Sequence, residues 1–228
     1  MELHGLMRLV LLVLLVILTT SSRTPAVDTA HLLPVGEMFD VGPPIGRSYS
    51  RVCEQMLFGN TKWLLRYYSA SESVTTGLSI TTDAQGRYSV SVRQARPELY
   101  SVVANAYYRK LNLQSALAAV KVNQTDSEIP EAVALAVHGL WVSLLTNVRS
   151  DEKLRDSYIL SPQVILYART ADRKILQGKM PPAGFRDANL ASVEDVVDDL
   201  LKVCVEPEEK RKNVFIRIKE RTAAISRE

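Results

Sequence analysis

The sequence predicts an α+β fold, in which an antiparallel meander sheet of about five to six strands is covered on one face by helices. Residues 74–95 alternate apolar and polar side chains on both sides of a turn, which is the period of an antiparallel hairpin. Residues 133–148 carry apolar side chains at helical spacing. Apolar residues make up 46% of the 228-residue chain and charged residues 23%, a balance typical of a globular protein.

The N-terminus carries a targeting signal. Residues 9–18 form an unbroken apolar run, preceded by Arg8 and followed by small polar residues. A helix that spans a membrane needs roughly 20 such residues, so this run fits the hydrophobic region of a secretory signal peptide. We therefore assign residues 1–26 to a signal peptide that is cleaved after Ala26. The alternative is an uncleaved N-terminal anchor.

Proline and glycine are concentrated just after this segment. Residues 27–47 contain six of them, which predicts an extended lead-in. From residue 48 onwards the apolar residues recur at regular intervals. We therefore expect a single α+β domain over residues 48–205.

The domain is predicted to begin with a helix over residues 49–58, capped by Ser48. Residues 63–68 are apolar and aromatic and are followed by serines, so they are predicted to form the first strand. The hairpin of residues 74–95 supplies the second and third strands, joined by the turn sequence Asp-Ala-Gln-Gly. These three strands form a meander.

The pattern beyond the hairpin is less regular. Residues 98–114 fit either a short helix or a loop that returns across the sheet, and residues 115–122 are predicted to form a fourth strand. A long helix follows, capped by Asp126 or Ser127 and with Pro130 in its first turn. Its apolar stripe is expected to lie on the sheet and consists of Val133, Val137, Leu140, Trp141, Leu144, Leu145 and Val148.

The C-terminal part is predicted to contain two more strands and a helix. Residues 163–168 form a strand, and residues 174–178 pair back on it after a turn. The helix extends from a cap at Ser192 to about Cys204 and buries an apolar stripe. Residues 206–228 are rich in charge and are predicted to form a tail outside the domain, as a solvated helix.

The two cysteines, Cys53 and Cys204, both belong to the exported part. In an oxidising compartment an even pair is more often a disulfide than two free thiols. We therefore predict a bond between them, which would contribute on the order of 5 kcal/mol in the chain-entropy model. The alternative is two small buried apolar side chains. Neither has a C-x-x-C partner, so the sequence predicts no metal site and no redox catalysis.

A candidate binding site lies on the polar face of the hairpin. Arg87, Ser89, Ser91 and Arg93 alternate with apolar residues and therefore share one face of a strand. Arginines beside small hydroxyl groups are able to bind a carboxylate or a phosphate through hydrogen bonds. The alternative is the ordinary solvated face of an antiparallel sheet.

Candidates for catalysis are few. His138 lies at the border of the long helix's apolar stripe, where packing is a more common role than catalysis. The densest acidic cluster comprises Glu194, Asp195, Asp198 and Asp199, and in the first half of a helix it favours a solvated face over a cation site. No motif predicts a catalytic residue or a cofactor.

One stretch of the chain resembles a known pattern. The run Gly-Arg-Tyr-Ser-Val-Ser-Val-Arg at residues 86–93 is followed by a helix with Trp141, Leu144 and Leu145. This arrangement resembles small uncharacterised exported bacterial α+β proteins, over about residues 51–204 of this chain. The resemblance implies a bacterial periplasmic or secreted protein, and it brings no activity or functional residue with it.

Together these observations favour a non-enzymatic exported protein: a binding, inhibitor or immunity-type module that works through the polar sheet face or the flanking loops. Its expected partner is another exported protein. The formal charge of +3 is spread over the chain and does not favour nucleic acid. A membrane role is expected only if the N-terminal segment is uncleaved. The alternatives are a periplasmic hydrolase built around His138 and an envelope-anchored structural protein.

Overall fold

The structure is a computed structural model, which describes residue 32 and residues 43–59, 61–148, 164–181, 186 and 188–225. The predicted signal peptide and most of the predicted lead-in lie outside these residues. Within them, no helix combines the length and the apolar character needed to cross a membrane.

Within the described ranges, six strands form one antiparallel sheet. In chain order they are β1 (Trp63–Ala70), β2 (Thr75–Thr82), β3 (Tyr88–Arg96), β4 (Lys121–Ile129), β5 (Val164–Arg169) and β6 (Ile175–Lys179). The strands β1 to β4 form a meander, and β5 pairs with the free side of β1, so the order across the sheet is β4-β3-β2-β1-β5-β6. The predicted α+β class and the antiparallel meander are confirmed.

Helices cover both faces of this sheet, whereas the sequence predicts cover on one face. They are α1 (Pro43–Cys53), a π-helical turn (Glu54–Phe58), α2 (Leu99–Tyr108), α3 (Leu113–Leu117), α4 (Glu131–Thr146), α5 (Ala188–Val205) and α6 (Glu208–Ile225). The helices α4, α5 and α6 pack on what we call the major face. The minor face is covered by α1, the π-helical turn, α2 and α3.

Both faces are covered because the central strands are apolar on both sides. In β1, Tyr67 packs in the core of the major face and Tyr68 in that of the minor face. In β5, Leu166 packs in the core of the major face and Ile165 in that of the minor face. Continuous apolar runs of this kind are typical of strands that are buried on both faces.

A buried polar network joins the helices of the minor face. Glu98 caps α2, with its carboxylate oxygens each 2.7 Å from a backbone N–H, those of Tyr100 and Ser101. The hydroxyl of Tyr49 in α1 donates to Glu98 at 3.2 Å and also contacts the hydroxyl of Tyr68. Residues 98–114, for which the sequence left helix and loop open, therefore begin with a capped helix.

The helix α6 corrects the prediction of a C-terminal tail. It packs on α4 and α5, and Val214, Ile218 and Ile225 are buried in the core of the major face. These apolar residues recur at helical spacing, but the stripe is narrow and the charged residues between them make it difficult to recognise in the sequence. The domain thus continues to the end of α6.

The predicted fourth strand is misplaced. Residues 113–117 form α3, whose N-cap Asn112 accepts a hydrogen bond from the backbone of Ser115 at 3.1 Å. The strand itself is β4, and it includes the two residues predicted to cap the long helix, Asp126 and Ser127. Alanines favour helix over strand, and β4 is polar because it is an edge strand with solvent on both faces over most of its length.

Part of the predicted lead-in belongs to the domain. Residues 43–47 form the start of α1, where proline is tolerated because the first turn needs no backbone donor. Leu32 is fully buried in the core of the major face. A Cβ at Gly178 would lie 3.1 Å from the Cβ of Leu32 and 2.9 Å from the Cδ2 of Leu145, so glycine allows this close approach.

The predicted disulfide is wrong. Cys53 is buried in the core of the minor face, whereas Cys204 packs against that of the major face, with its Sγ 3.9 Å from the carbonyl oxygen of Val90. The sheet lies between the two thiols, and a disulfide needs Cα atoms within about 7 Å of each other. The spacing of cysteines along the chain carries no information about the face on which each one lies.

Both thiols are expected to resist alkylation in the folded protein. Burial raises the pKa of Cys204 to about 11, and burial also raises the pKa of Cys53. Because the thiolate is the reactive form, the iodoacetamide reaction of Cys204 should accelerate up to about pH 11, and Cys53 should react only on unfolding. The raised pKa of Cys204 stabilises the fold below its unfolded pKa of 9.0, and this contribution is lost as pH rises to about 11. Peptide mass spectrometry gives both rates, and a native mass two hydrogens below that of the reduced chain would contradict this expectation.

Candidate functional site

Three of the four predicted binding residues share the minor face. Ser89, Ser91 and Arg93 alternate along β3, and Arg87 precedes the strand. The register places polar residues of β4 directly opposite these three side chains: Glu128, Asp126 and Gln124. The carboxylates of β4 offset the positive charge on this part of the sheet, so it does not favour a free carboxylate or phosphate.

The two arginines have separate neighbours. The Nε of Arg87 donates to Asp83 at 2.7 Å, and its Nη1 lies 3.5 Å from Glu128. Hydrogen bonds from the backbone and side chain of Arg87 lower the pKa of Asp83, and the same pair raises the pKa of Arg87. Arg93 lies against Gly59, where a Cβ would be 3.1 Å from its Nη1. Arg87 therefore stabilises the hairpin turn, and the two guanidinium groups do not form a clamp.

His138 makes a structural hydrogen bond. Its Nε2 lies 2.8 Å from the carbonyl oxygen of Arg169. A carbonyl oxygen only accepts, so Nε2 carries the proton and donates. The bond ties α4 to the end of β5, which accounts for a histidine at the border of the apolar stripe.

The acidic cluster is divided between solvent and core. Asp199 is fully buried, and its carboxylate lies 3.2 Å from the Nη2 of Arg217 and 3.1 Å from the Nη1 of Arg221. The prediction of a solvated face is wrong for this residue, although Asp195 and Asp198 are exposed. Both arginines come from α6, which the sequence placed outside the domain. Within the described ranges, no group of three His, Cys, Asp or Glu side chains is arranged to hold a metal ion.

The outer strand β4 presents a free backbone edge that sequence reasoning missed. In the part of the chain that the structure describes, no strand pairs with its outer side. The strand is nine residues long, its first six residues are exposed, and it pairs with β3 without a bulge. Proteins usually protect edge strands by shortening, bulges, proline or charged side chains. β4 carries the charged side chains of Lys121, Asp126 and Glu128, but it is long, unbulged and free of proline, so its outer backbone groups are geometrically open to an added strand.

Two recesses flank this edge. The first has a volume of about 470 Å³ and lies between β3, β4 and α5, with Val92, Leu201 and Val205 as its apolar lining. Val205 is 74% exposed there. The second has a volume of about 600 Å³ and lies between β4 and the first turns of α6, with side chains of both charges. Exposed aliphatic groups beside a free strand edge are a feature of peptide-binding surfaces.

A cluster of arginines and aromatic residues lies under the π-helical turn. Arg66, in the middle of β1, is only 6% exposed, and its Nη1 lies 2.8 Å and 3.0 Å from the two carboxylate oxygens of Glu54. Its Cζ lies 4.5 Å from the ring of Trp63 and 4.7 Å from that of Phe58. A register shift between Trp63 and Leu65 turns Trp63 to the same face as Arg66.

Strand β5 adds two residues to this cluster. Tyr167 lies directly opposite Arg66, and the Cζ of Arg169 is 4.6 Å from the ring of Trp63. Among the described residues, no hydrogen-bond partner is found for Arg66 Nε, Tyr167 OH or Arg169 Nε, which are all buried. Burial lowers the pKa of Arg66 and raises that of Tyr167. In the sequence, the feature that indicates this cluster is the single arginine, Arg66, within the apolar strand β1.

Among the described residues, the β4 edge and the Arg66 cluster are thus two places where several polar groups are left open, whereas the buried Nε1 of Trp141 is a single donor without a hydrogen-bond partner. The polar hairpin face, His138 and the buried Asp199 have partners within the described fold. Comparison of the chain with protein-family models, with curated proteins and with solved structures finds no match.

Proposed function

We propose that this protein is a non-enzymatic binding module that takes up an extended segment of another protein along β4. The observation that carries the proposal is the nine-residue edge with a recess on either half. An added strand would satisfy the outer N–H and C=O groups of β4, and backbone bonds of this kind supply affinity in strand addition.

The recesses indicate which side chains the segment carries. The first recess is lined by Leu201 and Val205 of α5 and the second by Arg211 and Phe215 of α6, and both helices pack on the major face, so both recesses lie on that side of the β4 edge. Alternate residues of an added strand lie about 7 Å apart on that face. The first recess suits an aliphatic side chain because of Leu201 and Val205. The second suits a charged side chain because Glu208, Arg211 and Lys212 surround it.

The predicted signal peptide supports a location outside the cytoplasm. The segment bound by β4 would then belong to another exported protein, as expected for an inhibitor or immunity-type module. Retention of residues 1–26 would instead hold the same binding surface at a membrane.

Selection of displayed random 12-residue peptides on the purified protein tests the proposal. Enriched peptides should carry an aliphatic residue two or four positions from a charged one, because alternate side chains reach the two recesses. Hydrogen exchange with a synthetic selected peptide should slow at the amides of residues 121–129. Failure to enrich any peptide, or protection elsewhere in the chain, would contradict strand addition.

Val205→Glu should weaken binding of the selected peptide at least tenfold, about 1.4 kcal/mol. The residue lines the apolar recess and is 74% exposed, so the substitution removes an apolar contact without disturbing the core. Calorimetric titration gives the affinity. The matched control is Ile175→Glu on β6, at the opposite edge, where the side chain is 54% exposed. Equal affinities of the two variants for the peptide would contradict binding of its aliphatic side chain in the first recess.

A further inference from the structure

A cluster of buried hydrogen-bond donors lies on the minor face, away from β4. We infer that Arg66, Tyr167 and Arg169 bind a small oxyanion of the carboxylate or phosphate class. The inference starts from three buried donors for which the described chain supplies no acceptor: Arg66 Nε, Tyr167 OH and Arg169 Nε. Buried polar groups in proteins are nearly always paired, so three open donors in one place need an acceptor.

The register of the sheet brings the three donors together. Arg66 and Tyr167 are direct partners across β1 and β5, where opposite side chains are about 5 Å apart. Arg169 lies two residues further along β5 and therefore on the same face. Both guanidinium groups contact the ring of Trp63, at 4.5 Å and 4.6 Å. One ring thus positions both cations.

The charge of the cluster favours an anion. Among the described residues, the carboxylate of Glu54 is bound to Nη1 of Arg66, and no ion pair is found for the guanidinium of Arg169. A buried positive charge without a counter-charge is costly, and the second guanidinium repels the first. One bound negative charge would balance the pair. Carboxylate and phosphate oxygens match the donor geometry of guanidinium groups.

Solvent reaches the cluster from one side. The side chain of Arg66 is 8% exposed, whereas that of Glu54 is 47% exposed, and Arg169 is half-buried. Glu54 and Arg169 are thus the residues of the cluster that contact solvent, and an ion would reach the donors from their side. Glu54 belongs to the π-helical turn, and such turns are frequent at functional sites.

Thermal unfolding with millimolar inorganic phosphate or acetate, at constant ionic strength, tests the inference. One of the two anions should raise the Tm in a saturable way, by about 5–11 °C at a hundred times its Kd. The anion that acts distinguishes a phosphate site from a carboxylate site. A Tm that neither anion changes would overturn the inference, whatever the outcome at β4.

Three variants locate the effect. Arg169→Gln should abolish the rise in Tm, and Arg96→Gln, which removes an exposed charge on β3, should leave it intact. Tyr167→Phe should weaken the anion at least tenfold while leaving the Tm without anion unchanged or higher, because it deletes an unpaired hydroxyl. A purely structural role for the tyrosine would instead lower the Tm without anion. An equal anion response in the Arg169 and Arg96 variants would overturn the site.

Discussion

Gly77→Val is expected to lower the free energy of unfolding by about 3 kcal/mol and to displace the π-helical turn from the sheet. Gly77 lies in β2 beneath that turn, where a Cβ would be 2.7 Å from the Cβ of Leu57 and 3.1 Å from the Cε1 of Phe58. Overpacking costs about 1–3 kcal/mol even where neighbours can shift. The Cβ of Leu57 is fixed to the backbone, so rotation of its side chain cannot relieve the contact.

Urea unfolding followed by circular dichroism measures this change. The control is Gly139→Val in α4, where no atom lies within 4 Å of the added Cβ. Valine has a slightly better helix propensity than glycine, so this variant should be neutral or slightly stabilised. A similar loss of stability in both variants would show that the close approach of the π-helical turn to β2 is not what excludes a larger side chain at residue 77.

Asp199→Ala is expected to cost about 3 kcal/mol of stability. The carboxylate is buried between α5 and α6 and lies within 3.2 Å of guanidinium nitrogens of Arg217 and Arg221 and 3.5 Å from Lys202 Nζ. Its removal leaves these cations without their shared partner at a helix interface, and breaking one side of a buried ion pair costs about 3–5 kcal/mol. The partial exposure of both arginines places the expected loss at the low end of that range.

The neighbouring residue supplies the control for this second variant. Asp198 is exposed, and its replacement by alanine should change stability by less than about 0.5 kcal/mol. The double variant Asp199→Ala, Arg221→Ala should lose less than the sum of the two single losses, because the pair interacts directly. Equal effects at residues 198 and 199, measured by urea unfolding, would refute the role of the buried carboxylate.

Local periodicity explains which elements the sequence predicts well. The hairpin of β2 and β3 has strict alternation and a turn sequence of its own, and α4 has a long apolar stripe, so each is specified by neighbouring residues. The hairpin is confirmed close to its expected bounds. The helix α4 is confirmed with its apolar stripe, but it begins at Glu131, after the two residues predicted to cap it. The strand β5 and its return in β6 were also recognised, since they are separated by a short polar turn.

The remaining features depend on contacts between distant parts of the chain. The stripe of α6 is narrow, and only its packing on α4 and α5 distinguishes it from a solvated helix. The faces occupied by Cys53 and Cys204 follow from topology, which the sequence spacing does not encode. The Arg66 cluster requires the register of β1 and β5, and β4 lacks the apolar alternation that marks a strand because most of its side chains are solvated.

The meander has a consequence for how the chain acquires its fold. All four strands from β1 to β4 lie within residues 63–129 and pair with sequence neighbours, so the longest connection to be closed is the segment 97–120, which contains α2 and α3. A chain synthesised from its N-terminus therefore completes these four of the six strands in the described sheet first. The apolar side chains of Val90 and Val92 in β3 remain uncovered by α5 until that helix is synthesised, about 100 residues later. We expect this nascent intermediate to be the species most prone to self-association during biosynthesis.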